Sequence, residues 1–304
     1  MNGTRIFIKS ACQISCQKPL SEEWLDSPEE LTQPYVRSLD PKFSDFIPPM
    51  QARRMGLLLK RATVTSMSAL SEAGIETPDA IITGTALGCM ESTERFLGTI
   101  CRDGEQMLSP TDFMQSTHNT ISSLIAIRTG TKGYNCTFSH GESSFGSALL
   151  DAVVQMKLGK ISNALVGCHD ETTPETFSIL TRAGYFSPNE NPASEISVSM
   201  VLSVDPKDSL CELSFLRIAD IGADSEKKVA KGALSAIGLE DFVDSCAIVS
   251  DRNYGKIFGR NLSLPAALIY AGAHIVHKGL SPVTVVLGGS CSSERTVAVL
   301  TKTN

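Results

Sequence analysis

Apolar residues recur in two rhythms along this chain. Short runs rich in Val, Ile, Leu and Phe, bounded by Gly or polar residues, predict strands at 5–11, 80–83, 134–139, 164–167, 197–204, 214–221, 246–250, 283–288 and 296–301. Between them, Leu, Met, Ala and Val at three- and four-residue spacings predict helices at 49–73, 91–100, 110–129, 144–158, 225–237 and 262–278. Strands alternating with helices specify a layered α/β architecture. The order strand, helix, strand, helix and then a closing pair of strands runs once before about residue 205 and again, more briefly, after it. Two related halves, 1–205 and 206–304, are therefore expected, the second reduced. The segment 174–192, rich in Thr, Pro, Asn and Glu, reads as the longest loop.

Composition narrows the function classes. The 304 residues are 42% apolar and 20% charged, enough for a substantial core. The 33 acidic and 27 basic residues are interspersed, and no basic block could track a phosphate backbone, which argues against nucleic acid as a partner. No apolar run approaches the roughly 20 residues of a membrane span, and the opening MNGTRIFIKSACQISC shows no apolar leader with a small-residue cleavage site, so a cytoplasmic protein without membrane contact is expected. Nine scattered cysteines without CxxC pairs read as reduced core thiols.

Two segments could carry chemistry. Gly84-Thr85-Ala86-Leu87-Gly88 follows a buried strand and precedes a helix, where glycines let backbone N–H groups turn toward a ligand. It lacks both the GxGxxG spacing of a dinucleotide site and the Lys-Ser/Thr of a P-loop. In KGYNCTFSHGESSFGSALLDA, 132–152, an extended run stops at Ser139-His140-Gly141-Glu142 and a small-residue helix follows. Such an elbow aims one side chain from a helix N-terminus into a cavity, and an enzyme would place Ser or Cys there. Here the aimed residue is Glu142, which could equally cap its helix. Among five histidines none has metal-ligand or triad spacing. His274 and His277 fall in the last turn of a helix, His169-Asp170-Glu171 are adjacent on what reads as a loop and would diverge, and His140 neighbours the elbow.

Taken together these segments resemble the β-ketoacyl-acyl-carrier-protein synthases, thiolase-like condensing enzymes, over nearly the whole chain. The turn at 84–88 with its following acidic helix, the run Ile125–Gly133 with Asn119 before it, Arg53-Arg54-Met55 in the first long helix, and the small-residue helix at 259–279 carry the likeness. The resemblance implies a layered α/β/α/β/α fold of two pseudo-repeated halves. It also places Glu142 where that family has its nucleophilic Cys, Phe145 where Gly is usual, and Arg260 at one catalytic His. The family's second His loop is replaced by Asp251-Arg252-Asn253-Tyr254, and its late Gly-rich loop by Gly289-Ser290-Cys291-Ser292. Without the thiol and both histidines, acyl transfer and carbanion attack lose their groups.

Catalytically degenerate chain length factors, which pair with a competent ketosynthase in fatty acid, polyketide or aryl polyene biosynthesis, share this pattern. That resemblance implies a heterodimer with an active ketosynthase, or a homodimer, and acyl carrier protein as a further partner. It implies no cofactor and no metal. The strand at 134–139 would pair across the dimer, and His118, Asn119, Tyr134, Cys136, Phe138, His140 and Phe145 would line the seam or an acyl pocket. The competing expectation is an atypical synthase using Cys136, or a malonyl decarboxylase using Glu142.

Overall fold

The computed structural model describes residues 3–187, 192–221, 224–289 and 294–303. Its strands are β1 (Phe7–Ile14), β2 (Ala80–Gly84), β3 (Tyr134–Phe138), β4 (Asn163–Asp170), β5 (Ile196–Ser203), β6 (Cys211–Asp220), β7 (Ala247–Ser250), β8 (Val283–Gly288) and β9 (Glu294–Thr301). Its helices are α1 (Pro49–Ala52), α2 (Leu57–Glu72), α3 (Met90–Asp103), α4 (Pro110–Ser116), α5 (Thr120–Thr129), α6 (Ser144–Lys157), α7 (Pro174–Arg182), α8 (Glu226–Ser235), α9 (Asp251–Phe258) and α10 (Leu264–His277).

Among the described residues the strands join in the order β3-β2-β4-β5-β1-β6-β9-β8-β7. The link between β1 and β6 is short, with only Phe7 against Glu212 and Ile8 against Cys211 in register. That narrow hinge lets the β1–β5 side fold over the β6–β9 side with α6 and α10 between them. Gly84, at the end of β2, meets the backbone of Ser144 in α6, while Gly146 on the same helix meets Thr296 of β9 and Ile218 of β6. A β-carbon on Gly146 would lie 2.2 Å from the Thr296 hydroxyl, so only glycine lets α6 bridge both sides.

Alternation along each strand assigns its two faces. Ala80, Ile82, Val166, Met200, Val286, Ala298 and Leu300 point inward and share one core with α6 and α10. Ile81, Leu165 and Val201 point outward onto α2 and α5. Val283, Val285, Leu287, Val297 and Val299 point outward onto α8. The layers therefore run helix, sheet, helix, sheet, helix, as expected for a thiolase-like fold.

Where structure and expectation differ, local polar chemistry overrides periodicity. The helix expected at 49–73 breaks before α2, where Gly56 is extended and its N–H donates to Gln115 Oε1 at 2.9 Å. The helix expected at 110–129 breaks between α4 and α5, with Thr117 extended. The expected loop at 174–192 begins with α7, whose Thr173 cap accepts from the Thr176 N–H and whose first residue is Pro174. Residues 188–191 lie outside the described residues. After β7 the chain enters α9 directly through a capping box formed by Ser250 and Asn253.

Candidate functional site

The carboxyl ends of the parallel strands β2, β3, β4, β7 and β8 converge, and the candidate site is built there. Chain ends of this kind gather loops on one side of a sheet and form crevices. After β3, Gly141 takes φ +57 and a short 3-10 turn, Gly141–Ser143, leads into α6. Ser144 fixes this elbow: its hydroxyl accepts from the His140 N–H at 2.8 Å and donates to the carbonyls of Gly141 at 2.6 Å and Thr85 at 3.2 Å. Glu142 is held by that turn and is 5% exposed.

Arg260 comes from a segment 118 residues later, just ahead of α10. Its N–H donates to Pro192 and its carbonyl accepts from Ser194, a parallel bridge that fixes the segment from one side. Its guanidinium Nη2 lies 3.7 Å from Glu142 Oε1. The two residues expected, from the family resemblance, at the positions of its Cys and one His therefore meet as an ion pair. Tyr185 stands within reach of both: burial raises its phenol pKa, Glu142 adds to that, and Arg260 opposes it. Gly289, at the end of β8, borders Glu142 from the far side.

Behind this pair sits a carboxylate whose role is not visible from sequence. Asp170 Oδ1 accepts from the N–H groups of Ala86, Leu87 and Gly88 at 2.9, 2.8 and 3.1 Å and from the Thr85 hydroxyl at 2.8 Å. Its Oδ2 accepts from Ser263 at 2.6 Å. The 84–88 turn is thus an anion nest filled by the chain's own side chain, which also ties it to the start of α10. His169 turns the other way, with Nδ1 2.8 Å from the Ser197 hydroxyl, and Glu171 accepts from the Glu91 N–H at 2.7 Å. The three neighbours diverge, and each is committed within the fold.

The remaining candidates fall into separate places. Tyr134 is 40% exposed on β3, which among the described residues pairs only with β2 and ends the sheet. Cys136 and Phe138 are half-buried against the central core. His140 is exposed, with Nδ1 3.2 Å from the Ser147 hydroxyl and its ring edge-on to Phe138. His118 and Asn119 are exposed on the turn between α4 and α5, the His118 ring lying beside Gly88. Phe145 is fully buried in the central core, away from the exposed edge of β3. The late loop residues Ser290, Cys291 and Ser292 lie outside the described residues.

Phe113 and Met114 of α4 and Leu124 and Ile127 of α5 line an open apolar trough of about 950 Å³, with Arg54 and Arg128 also bordering it. Ile127 is 80% exposed there, whereas Ile121 and Ile125 of the same helix face the core. A helix apolar on both faces is the pattern of one covered on both sides.

The family pattern described as the β-ketoacyl synthase N-terminal domain matches residues 23–237. The chain belongs to the β-ketoacyl synthase family. No curated protein matches it in sequence. Several solved structures of this family share its fold. A type II PKS acyl-carrier protein in complex with its ketosynthase, AntDE:AntF, is 11% identical with a TM-score of 0.80, covering 98% of this chain and 99% of that one. The ishigamide ketosynthase/chain length factor is 14% identical with a TM-score of 0.78, covering 99% and 100%. The ketosynthase ApeO in complex with its chain length factor ApeC, from Xenorhabdus doucetiae, is 16% identical with a TM-score of 0.64, covering 98% and 99%. Among the described residues of this β-ketoacyl synthase relative, no helix is long and apolar enough to cross a membrane.

Proposed function

We propose that this chain is a non-catalytic ketosynthase-like subunit of the chain length factor type. In this reading it works in the cytoplasm, paired with an active ketosynthase that elongates carrier-bound acyl chains in fatty acid, polyketide or aryl polyene synthesis. The observation that carries the proposal is the Glu142–Arg260 pair at the elbow. A nucleophile must attack an acyl carbonyl, and a carboxylate neutralised by a guanidinium is a poor one. An arginine, protonated throughout the physiological range, supplies no acid–base cycle.

The exposed edge of β3 and the apolar trough between α4 and α5 support a pairing role. An unpaired strand edge is a template for another chain, and an apolar face of this size on a lone subunit calls for a cover. In this reading Tyr134, Cys136 and Phe138 belong to the seam, and His118, Asn119 and His140 sit at its margin. Phe145 supports the elbow from within. Side chains along the seam would limit how far a chain grows from the partner's Cys. The halves 1–205 and 206–304 are read as the two pseudo-repeats, with acyl carrier protein docking on the assembled pair.

The second reading, an enzyme acting alone, is kept by Glu142 itself, since a carboxylate in a buried crevice could assist malonyl decarboxylation. The purified chain, incubated with malonyl- and acyl-carrier protein, should release no carbon dioxide above background and form no condensed product. Turnover abolished by Glu142→Ala or Cys136→Ala would replace the proposal with the second reading.

A further inference from the structure

The interior behind the site contains an imbalance of charge. Arg61 of α2 is 1% exposed and, among the described residues, is the one arginine or lysine buried there. Its Nε and Nη2 donate to Asp40 at 2.5 and 3.0 Å, and its Nη1 lies 3.1 Å from Glu195 Oε2. Glu195, 2% exposed, also accepts from the Ser38 N–H at 3.1 Å and lies 3.7 Å from Arg37, whose side chain is largely in solvent. Glu171, 3% exposed, is the second buried carboxylate of this group. It accepts from the Glu91 N–H at 2.7 Å, a neutral donor in the first turn of α3. Arg61 is already shared between Asp40 and Glu195, so a second interior negative charge is poorly compensated.

We propose that Glu171, buried beside an arginine already shared by two other carboxylates, is a proton switch that sets how firmly the 193–196 segment framing Arg260 is held. The charged groups that act on it come from three elements: Glu91 from α3, Arg61 from α2, and Glu195 from the approach to β5. Tyr35 from the 35–40 segment and Cys89 ahead of α3 feel its charge in turn. Burial raises the Glu171 carboxyl first; the Glu91 N–H lowers it, Glu195 and the Glu91 carboxylate raise it, Arg61 lowers it, and it comes to about 7.

The consequence is mechanical. Ionised Glu171 repels Glu195, which anchors Ser38 and sits next to the Ala193 and Ser194 backbone that brackets Arg260. Protonation removes that repulsion and lets Glu195 stay on Arg61. The switch acts on the frame of the site whether or not the chain is catalytic.

Two readouts on the full chain test it. Difference infrared spectroscopy should find a protonated carboxylic acid whose band disappears with a midpoint between about pH 6 and 8 and is missing in Glu171→Gln. Glu195→Gln, which removes the like charge, should move that midpoint to lower pH. Over the same range, amide exchange of residues 193–196, corrected for its intrinsic pH dependence, should speed up several-fold in the native chain and stay flat in Glu171→Gln. No acid band titrating in that window, a band that persists in Glu171→Gln, or exchange indifferent to pH in the native chain would each overturn the proposal.

Discussion

Two ion-paired centres lie close together in this protein, and they are built on opposite terms. Glu142 and Arg260 meet at 3.7 Å, with Arg260 still 19% accessible along its side chain. Arg61 is shut inside at 1%, and is shared between Asp40 and Glu195 while Glu171 adds further charge nearby. A loosely made, partly wet pair contributes little to folding, whereas an interior cation held on several sides is costly to disturb. The contrast indicates that the elbow pair is tolerated by the scaffold and the deeper cluster is part of it.

The sharpest way to break this contrast is to remove the interior cation. Arg61→Met should destabilise the chain by about 3–5 kcal/mol, read as a fall in the denaturant midpoint at unchanged slope, because Glu195 loses its cation inside the protein. Asp170→Ala should follow at about 2–4 kcal/mol, since three backbone N–H groups and the Ser263 and Thr85 hydroxyls lose their acceptor. Glu142→Gln should cost no more than about 1 kcal/mol by the same measurement. Were Glu142→Gln as damaging as Arg61→Met, the two centres would be equivalent and the contrast void.

The acid limb sharpens the comparison further. His169 is fully buried beside Ser197, and burial lowers its pKa to about 3. The unfolded chain then binds more protons than the folded one between about pH 3 and 6.5, so stability rises with pH through that window. Moving from pH 6.5 to 5 should cost roughly 2 kcal/mol from this residue, and His169→Gln should flatten that slope. Glu171, raised instead of lowered, contributes in the opposite sense, its penalty growing as pH rises from about 4.5 to 7.

The strand pattern was readable because alternating apolar residues have one physical meaning, and each expected strand has a counterpart within a few residues. The helix breaks at Gly56 and Thr117 were hidden, because apolar spacing runs through both while the cause is a side-chain hydrogen bond or a turn. α7 was announced by Thr173-Pro174-Glu175, a capping signature set inside a polar stretch that composition alone reads as loop. The elbow was legible locally. Its partner Arg260 was reachable only through family resemblance, since no spacing rule joins residues 118 positions apart. Asp170, Glu171 and Arg61 gave no signal as a group: each reads as an ordinary charge until the fold places them in the interior.

The smallest expected effect on folding is at the surface trough. Ile127→Asp replaces an 80% exposed side chain and should change monomer stability by less than about 0.5 kcal/mol. On the proposed pairing it should weaken assembly with a ketosynthase by a hundredfold or more, measured by sedimentation or titration calorimetry.

The central claim is that this chain supports a partner's chemistry without supplying its own. The direct measurement is co-expression with the cysteine-bearing ketosynthase encoded nearest to it in its genome, followed by isolation of the complex and analysis of the carrier-bound products. The account predicts a one-to-one complex whose activity is lost when the partner's Cys is replaced and survives Glu142→Ala in this chain. A ketosynthase that neither binds this chain nor changes its product length, or condensation that persists without the partner's Cys, would contradict it.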